Sequence, residues 1–126
     1  RMSAAKAWSI WEGSTATLTP NSAVIDYFSD PHLALSIARI ESHYFSHNSF
    51  FEPNQLLANA HKLKGIPGYI VHGRYDVICP LDQAYALHQA WPGSELRIIA
   101  DAGHAVSEQG TTRALVECTN AMLECL

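Results

Sequence analysis

The sequence has 126 residues, 48% of them hydrophobic, with 8 basic and 12 acidic side chains and a formal charge of -4; this suits one soluble globular domain and excludes a disordered or fibrous chain. No Lys/Arg cluster exceeds the spaced pair Lys62 and Lys64, so a phosphate-tracking surface has no basis and nucleic acid is not an expected partner. No apolar run is long enough to span a bilayer and Arg1 to Ala7 leads into no signal-peptide core, so no membrane partner and a cytoplasmic location are expected.

Ser3 to Gly13 places Ala4, Ala7, Trp8, Ile10 and Trp11 at three- and four-residue spacings and predicts a helix ending near Gly13. The chain enters this helix at Arg1 with neither an initiating Met nor a capping sequence, and reads as a piece of something longer. A polar segment containing Pro20 follows. From Pro31 to Phe45 the residues Leu33, Ala34, Ile37, Ala38, Ile40 and Tyr44 return to helical spacing, with Asp30 as N-cap and Pro31 at the first helical position. A third helix is predicted from Pro53 to about Lys62.

The texture changes at Gly65. Ile66-Pro67-Gly68 breaks any helix, and Tyr69, Ile70 and Val71 predict a buried strand ending at His72-Gly73. Asp82 to Trp91 reads as a helix, Pro92-Gly93 stops it, and Glu95 to Ala100 reads as a second strand; a last amphipathic helix runs from about Thr112 to Leu126. Strand, helix, strand, helix is the signature of a parallel sheet with right-handed crossovers, so the fold class is α/β. Two strands are too few for such a sheet, and the remainder is expected to come from elsewhere.

The turn His72-Gly73-Arg74-Tyr75-Asp76 follows the first strand, and Asp101-Ala102-Gly103-His104 follows the second. Open α/β sheets place their sites at these carboxyl ends. Asp76 and His104, about 28 residues apart with the acid first, match the chain order Ser, Asp, His of α/β-hydrolases. A histidine acting as general base needs one tautomer, held by donating Nδ1–H to a carboxylate so that Nε2 faces the nucleophile. Taken singly, Asp76 could merely cap the helix starting near Leu81 and His104 merely satisfy a loop; together, in these two contexts, they are read as catalytic.

Several residues carry weaker signals. Cys79, Cys118 and Cys125 are odd in number and form no C-x-x-C pair, so reduced, partly buried thiols are expected. Cys79, three residues after the acid, has no place as a nucleophile and is read as a small packed thiol. His43 and His47 lie one helical turn apart, but no third ligand has matching spacing; no metal site and no cofactor are expected.

The stretches His72-Gly73-Arg74-Tyr75-Asp76, Cys79-Pro80, Leu87-His88-Gln89-Ala90-Trp91-Pro92 and Ala102-Gly103-His104 closely resemble the C-terminal part of bacterial-type proline iminopeptidases. Ala4-Ala5-Lys6-Ala7-Trp8 with Trp11-Glu12-Gly13, and Ala38-Arg39-Ile40-Glu41 with His43-Tyr44-Phe45, resemble that family's helical cap, so the likeness covers essentially the whole chain. It implies a helical cap segment over 1–64 and the last two parallel strands and helices of an α/β-hydrolase sheet over 65–126, an incomplete fold. It also implies a serine aminopeptidase that releases N-terminal proline from peptides. Glu12 and Glu41 are then implied as ligands for the substrate's charged imino group, whose lost hydration ionised carboxylates would replace. From spacing alone both would be solvated helix residues. Tyr44 and Phe45 are candidates for contact with the proline ring, although aromatics at helical spacing are more often core.

The family's nucleophile sits in a Gly-x-Ser-x-Gly elbow, and these 126 residues contain none; Ser14 and Ser94, the serines beside glycine, lie at a helix end and in a turn. The isolated chain is therefore expected to be inactive. The rival readings are another α/β-hydrolase, such as an esterase or epoxide hydrolase, and a non-catalytic fragment or interaction module. The strand at Tyr69 to Val71 is further expected to present an unpaired edge and to drive self-association.

Overall fold

The computed structural model describes residues 1–124, in the order α1 (Met2–Thr15), α2 (Ser22–Phe28), α3 (Pro31–Ser46), α4 (Gln55–Asn59), β1 (Gly68–Gly73), α5 (Leu81–Ala90), β2 (Ser94–Ile99) and α6 (Gln109–Glu124). Short 3-10 turns occupy Asn48–Phe50 and Ala60–Leu63. The thiol expectation for Cys125 lies outside the described residues. Among them the fold is a helical half followed by a two-stranded parallel α/β half, with six α-helices in all.

Small residues decide how the helical half closes. Ser9 of α1 is fully buried and its hydroxyl donates to the Phe28 carbonyl at 2.6 Å. A Cβ at Gly13 would stand 2.8 Å from the Phe28 Cβ, so α2 crosses α1 where α1 has no side chain. Ala5 and Ala34 are buried in α1 and α3, which pack on each other. A helix of seven residues is marginal alone; α2 stands on this packing and on the Asn21 side chain, which accepts from the Ala23 and Val24 N–H groups. The polar-segment reading of this stretch is thus corrected.

The α3 start matches its prediction: the Asp30 carboxylate accepts from the His32 and Leu33 N–H groups, both at 2.9 Å, ahead of Pro31. The bond from Leu33 is the main reason the Asp30 carboxyl ionises below its ordinary value. The helix expected from Pro53 is shorter. Asn54 sits in the left-handed region at φ 60, so α4 begins only at Gln55, and it tightens into a 3-10 turn at Ala60.

In the second half β1 and β2 pair in parallel, in register from Gly68 opposite Ser94 to Gly73 opposite Ile99. Helix α5 connects them, and α5 and α6 both pack on the two strands. Trp91 ends α5, donates its indole N–H to the Ile66 carbonyl at 3.1 Å, and covers Gly68 so closely that a Cβ there would enter its ring. The expectation of a buried β1 is corrected: of its six residues only Gly73 is buried and the rest are half-buried. Each strand has one neighbour among the described residues.

The buried apolar residues are Ala5, Ala16, Ala34, Ala60, Ala84, Ala102, Ala114 and Cys118, all small, whereas Trp11, Phe45, Leu56 and Val77 are exposed. Large apolar side chains normally supply most of the burial energy. Here much of that surface is left uncovered among the described residues. No helix among them is long and apolar enough to cross a membrane.

Candidate active site

The loops that follow β1 and β2 meet at one end of the strand pair. The Arg74 N–H donates to the Ile99 carbonyl at 2.9 Å and the Tyr75 N–H to the Ala102 carbonyl at 3.0 Å. They come this close because Gly73 has no side chain: a Cβ there would collide with the Gly103 carbonyl oxygen. Neither glycine has a positive φ, so both serve close approach rather than unusual backbone.

Asp76 and His104 are joined across these loops. Asp76 Oδ1 accepts from the Ile78 and Cys79 N–H groups at 2.9 and 2.8 Å, and Oδ2 accepts from His104 Nδ1 at 2.9 Å. The Asp76 side chain is only 5% exposed, against 40% for His104. An ionised carboxylate only accepts, so the proton lies on Nδ1 and Nε2 of a neutral ring keeps its lone pair. Asp76 therefore binds loop amides ahead of α5, whose N-cap is Pro80.

His72 donates from Nε2 to the Cys79 carbonyl at 2.8 Å, and the same nitrogen lies 3.6 Å from Asp76 Oδ2. It closes the loop that holds Asp76. Glu108 closes the other: Oε2 accepts from the Gly103 N–H at 2.6 Å and Oε1 from the Leu18 N–H at 2.8 Å. The Ala16 carbonyl also accepts from the His104 and Ala105 N–H groups at 2.9 and 2.7 Å. The exit of α1 is thus bound directly to the histidine loop. The sequence reading missed both His72 and Glu108 as supports, because their partners are backbone groups, which leave no mark in a residue pattern.

The helical half places Glu12 of α1 within the electrostatic reach of His104. Glu12, half-buried on α1, has its carboxyl pKa raised, first by burial and then by the negative charge of Glu41, with His104 acting in the opposite direction. Glu41 on α3 accepts a hydrogen bond from Trp8 Nε1. The Glu12 carboxyl thus feels the negative charge of Glu41 on one side and the imidazole of His104 on the other. Tyr44 meets Phe50 edge-on at 5.4 Å and is exposed; Phe45, also exposed, lines a cavity of about 850 Å³ with Met2, Trp8 and Ala38.

Cys79 is exposed, which corrects its reading as a packed thiol, while Cys118 is buried. The Cys79 thiol is nevertheless harder to ionise than usual, through partial desolvation first and the charges of Asp76 and Glu12 second. That makes it a poor nucleophile at neutral pH. The His43 and His47 rings lie 4.6 Å apart, with His47 Nδ1 donating to the His43 carbonyl. No cluster of three metal-ligating side chains occurs among the described residues.

No protein-family model matches the chain. Individual proteins do. It is 50% identical over 121 residues to a proline iminopeptidase of Xanthomonas citri, covering 95% of this chain and 39% of that one. It is 45% identical over 120 residues to the proline iminopeptidase of Arabidopsis thaliana, covering 94% and 32%. With that of Neisseria meningitidis serogroup B the identity is 37% over 123 residues, covering 97% and 38%. The chain spans about two fifths of the length of its bacterial relatives, and over that stretch it matches the C-terminal part of proline iminopeptidases.

Proposed function

We propose that these residues supply the acid–base pair and the amine-binding carboxylates of a serine aminopeptidase that releases N-terminal proline from peptides. Residues 1–64 would form a helical cap segment and 65–126 the closing part of an α/β-hydrolase domain. The observation that carries the reading is the 2.9 Å bond from His104 Nδ1 to an Asp76 carboxylate already held by two loop amides. An orienting acid fixed in this way presets the tautomer that a general base requires.

In this mechanism a serine outside the 126 residues attacks the carbonyl of the N-terminal proline. His104 Nε2 takes the serine proton and gives it to the leaving amine; water then hydrolyses the acyl-enzyme with His104 again as base. Glu12 and Glu41 hold the protonated imino group, which an internal proline lacks, so cleavage is confined to the amino end. The test is a substrate profile of the full-length protein. Proline amides should be cleaved and N-acetylproline amides should not; preference for simple esters or epoxides would replace this reading with another α/β-hydrolase chemistry.

The exposed aromatic and aliphatic side chains and the single-neighbour strands support a second property, self-association of the 126-residue chain. Sedimentation velocity should show the average mass rising with concentration. A strictly monomeric species across a wide range would refute it.

A further inference from the structure

We propose that the apolar recess beside His104, walled by Val24, Tyr27 and Phe28 of α2 and by Val106, receives the side chain of the residue that follows the scissile bond, and that it selects uncharged apolar residues there. The assignment rests on the aminopeptidase reading above. The recess measures about 530 Å³ and includes His104 in its wall. Neither Glu12 nor Glu41 lines it, and its lining holds no Lys, Arg, Asp or Glu.

The chemistry places a substrate residue at this point. His104 must pass its proton to the leaving nitrogen, so that nitrogen comes within hydrogen-bond reach of the imidazole, about 3 Å. The Cα of the residue after the bond is attached directly to this nitrogen, and its side chain therefore starts within a few ångströms of the ring. The carboxylates claim the amino end of the substrate. A recess with His104 in its wall and neither carboxylate is left for the departing end.

The walls are built to hold their spacing. Ser9 ties the Phe28 carbonyl to α1, and Gly13 lets Phe28 seat against that helix. The α1 exit is in turn bound to the histidine loop through Ala16 and Glu108. Tyr27 packs edge-on against Phe28 at 5.8 Å, and within these 126 residues Tyr27 and Val106 are 65% and 63% exposed. These are apolar surfaces that a substrate side chain can cover.

The test compares kcat/KM for Pro-Leu-NH2, Pro-Gly-NH2 and Pro-Lys-NH2 in the full-length protein. The unaltered enzyme should prefer leucine to glycine by about tenfold, the scale on which an apolar pocket discriminates. Tyr27→Ala, at an exposed position, should cut that ratio to about threefold or less. Val24→Asp should reverse the order of leucine and lysine, an exchange that general damage to the fold would not produce; any effect of the new charge on His104 itself cancels in the ratio. Equal rates for leucine and glycine in the unaltered enzyme, or ratios that neither substitution moves, would overturn the assignment. Failure of the aminopeptidase reading looks different: no proline amide is cleaved at all, and the recess assignment falls with it.

Discussion

Asp76→Asn in the full-length protein should lower kcat for a proline amide by about 10⁴-fold while leaving the fold intact. The reason lies in the two amides on Oδ1. The Ile78 and Cys79 N–H groups both donate to one side of the carboxylate, and an Asn at this position must keep its oxygen there or leave both donors without their partner. Its NH2 group then faces His104. The imidazole can meet that donor only with an unprotonated Nδ1, which puts the proton on Nε2, where the serine's proton has to go. The base is present in the wrong tautomer. The pair of measurements is kcat and thermal midpoint: a loss under tenfold with unchanged stability would remove Asp76 from its orienting role. His104→Ala should be at least as damaging, since it removes the base itself.

Glu41→Gln should raise KM for a proline amide and lower kcat/KM between tenfold and a hundredfold, roughly 1.4–2.8 kcal/mol, while an ester without the amino group changes little. Trp8 Nε1 donates to Glu41, so the Gln carbonyl oxygen remains on the indole and the amide NH2 turns toward the substrate cation. Attraction becomes repulsion at one oxygen's position. Equal losses for the charged and uncharged substrates would end the imino-group assignment. The substitution also carries a pH signature. Burial is the largest cause that raises the Glu12 pKa, and the charge of Glu41 is the next; removing that charge lets Glu12 lose its proton at lower pH. The part of the acid limb of kcat/KM for the proline amide that Glu12 contributes should therefore move to lower pH in Glu41→Gln, whereas simple loss of a ligand would lower the profile without moving it.

Some elements were legible before any coordinates because their causes are local. The Asp30-Pro31 start of α3 is set by a side chain and the backbone beside it, and Gly65 to Gly68 ends the helical half by backbone preference alone. Helix α2 escaped notice because its seven residues are too few to display a period and because what holds it, Ser9 and Gly13, lies in another helix. The same division runs through the site. Asp76 and His104 could be named because each follows a β-prone run at a turn containing glycine, and Glu12 and Glu41 only through family likeness, since spacing does not separate a binding carboxylate from a solvated one.

The sequence by itself thus determined an α/β chain with an acid and a base at the ends of adjacent strands, because short-range propensity and chain order are written in consecutive residues. Only the tertiary structure decided that Asp76 meets His104 at 2.9 Å, that Gly73 is glycine because the Gly103 carbonyl passes over it, and that Glu108 binds the exit of α1 to the histidine loop. Those facts depend on groups far apart in the chain coming together, 28 residues for Asp76 with His104 and 90 for Leu18 with Glu108. No pattern of side chains along a line specifies such meetings; the packing of α1, α2 and the two strands does.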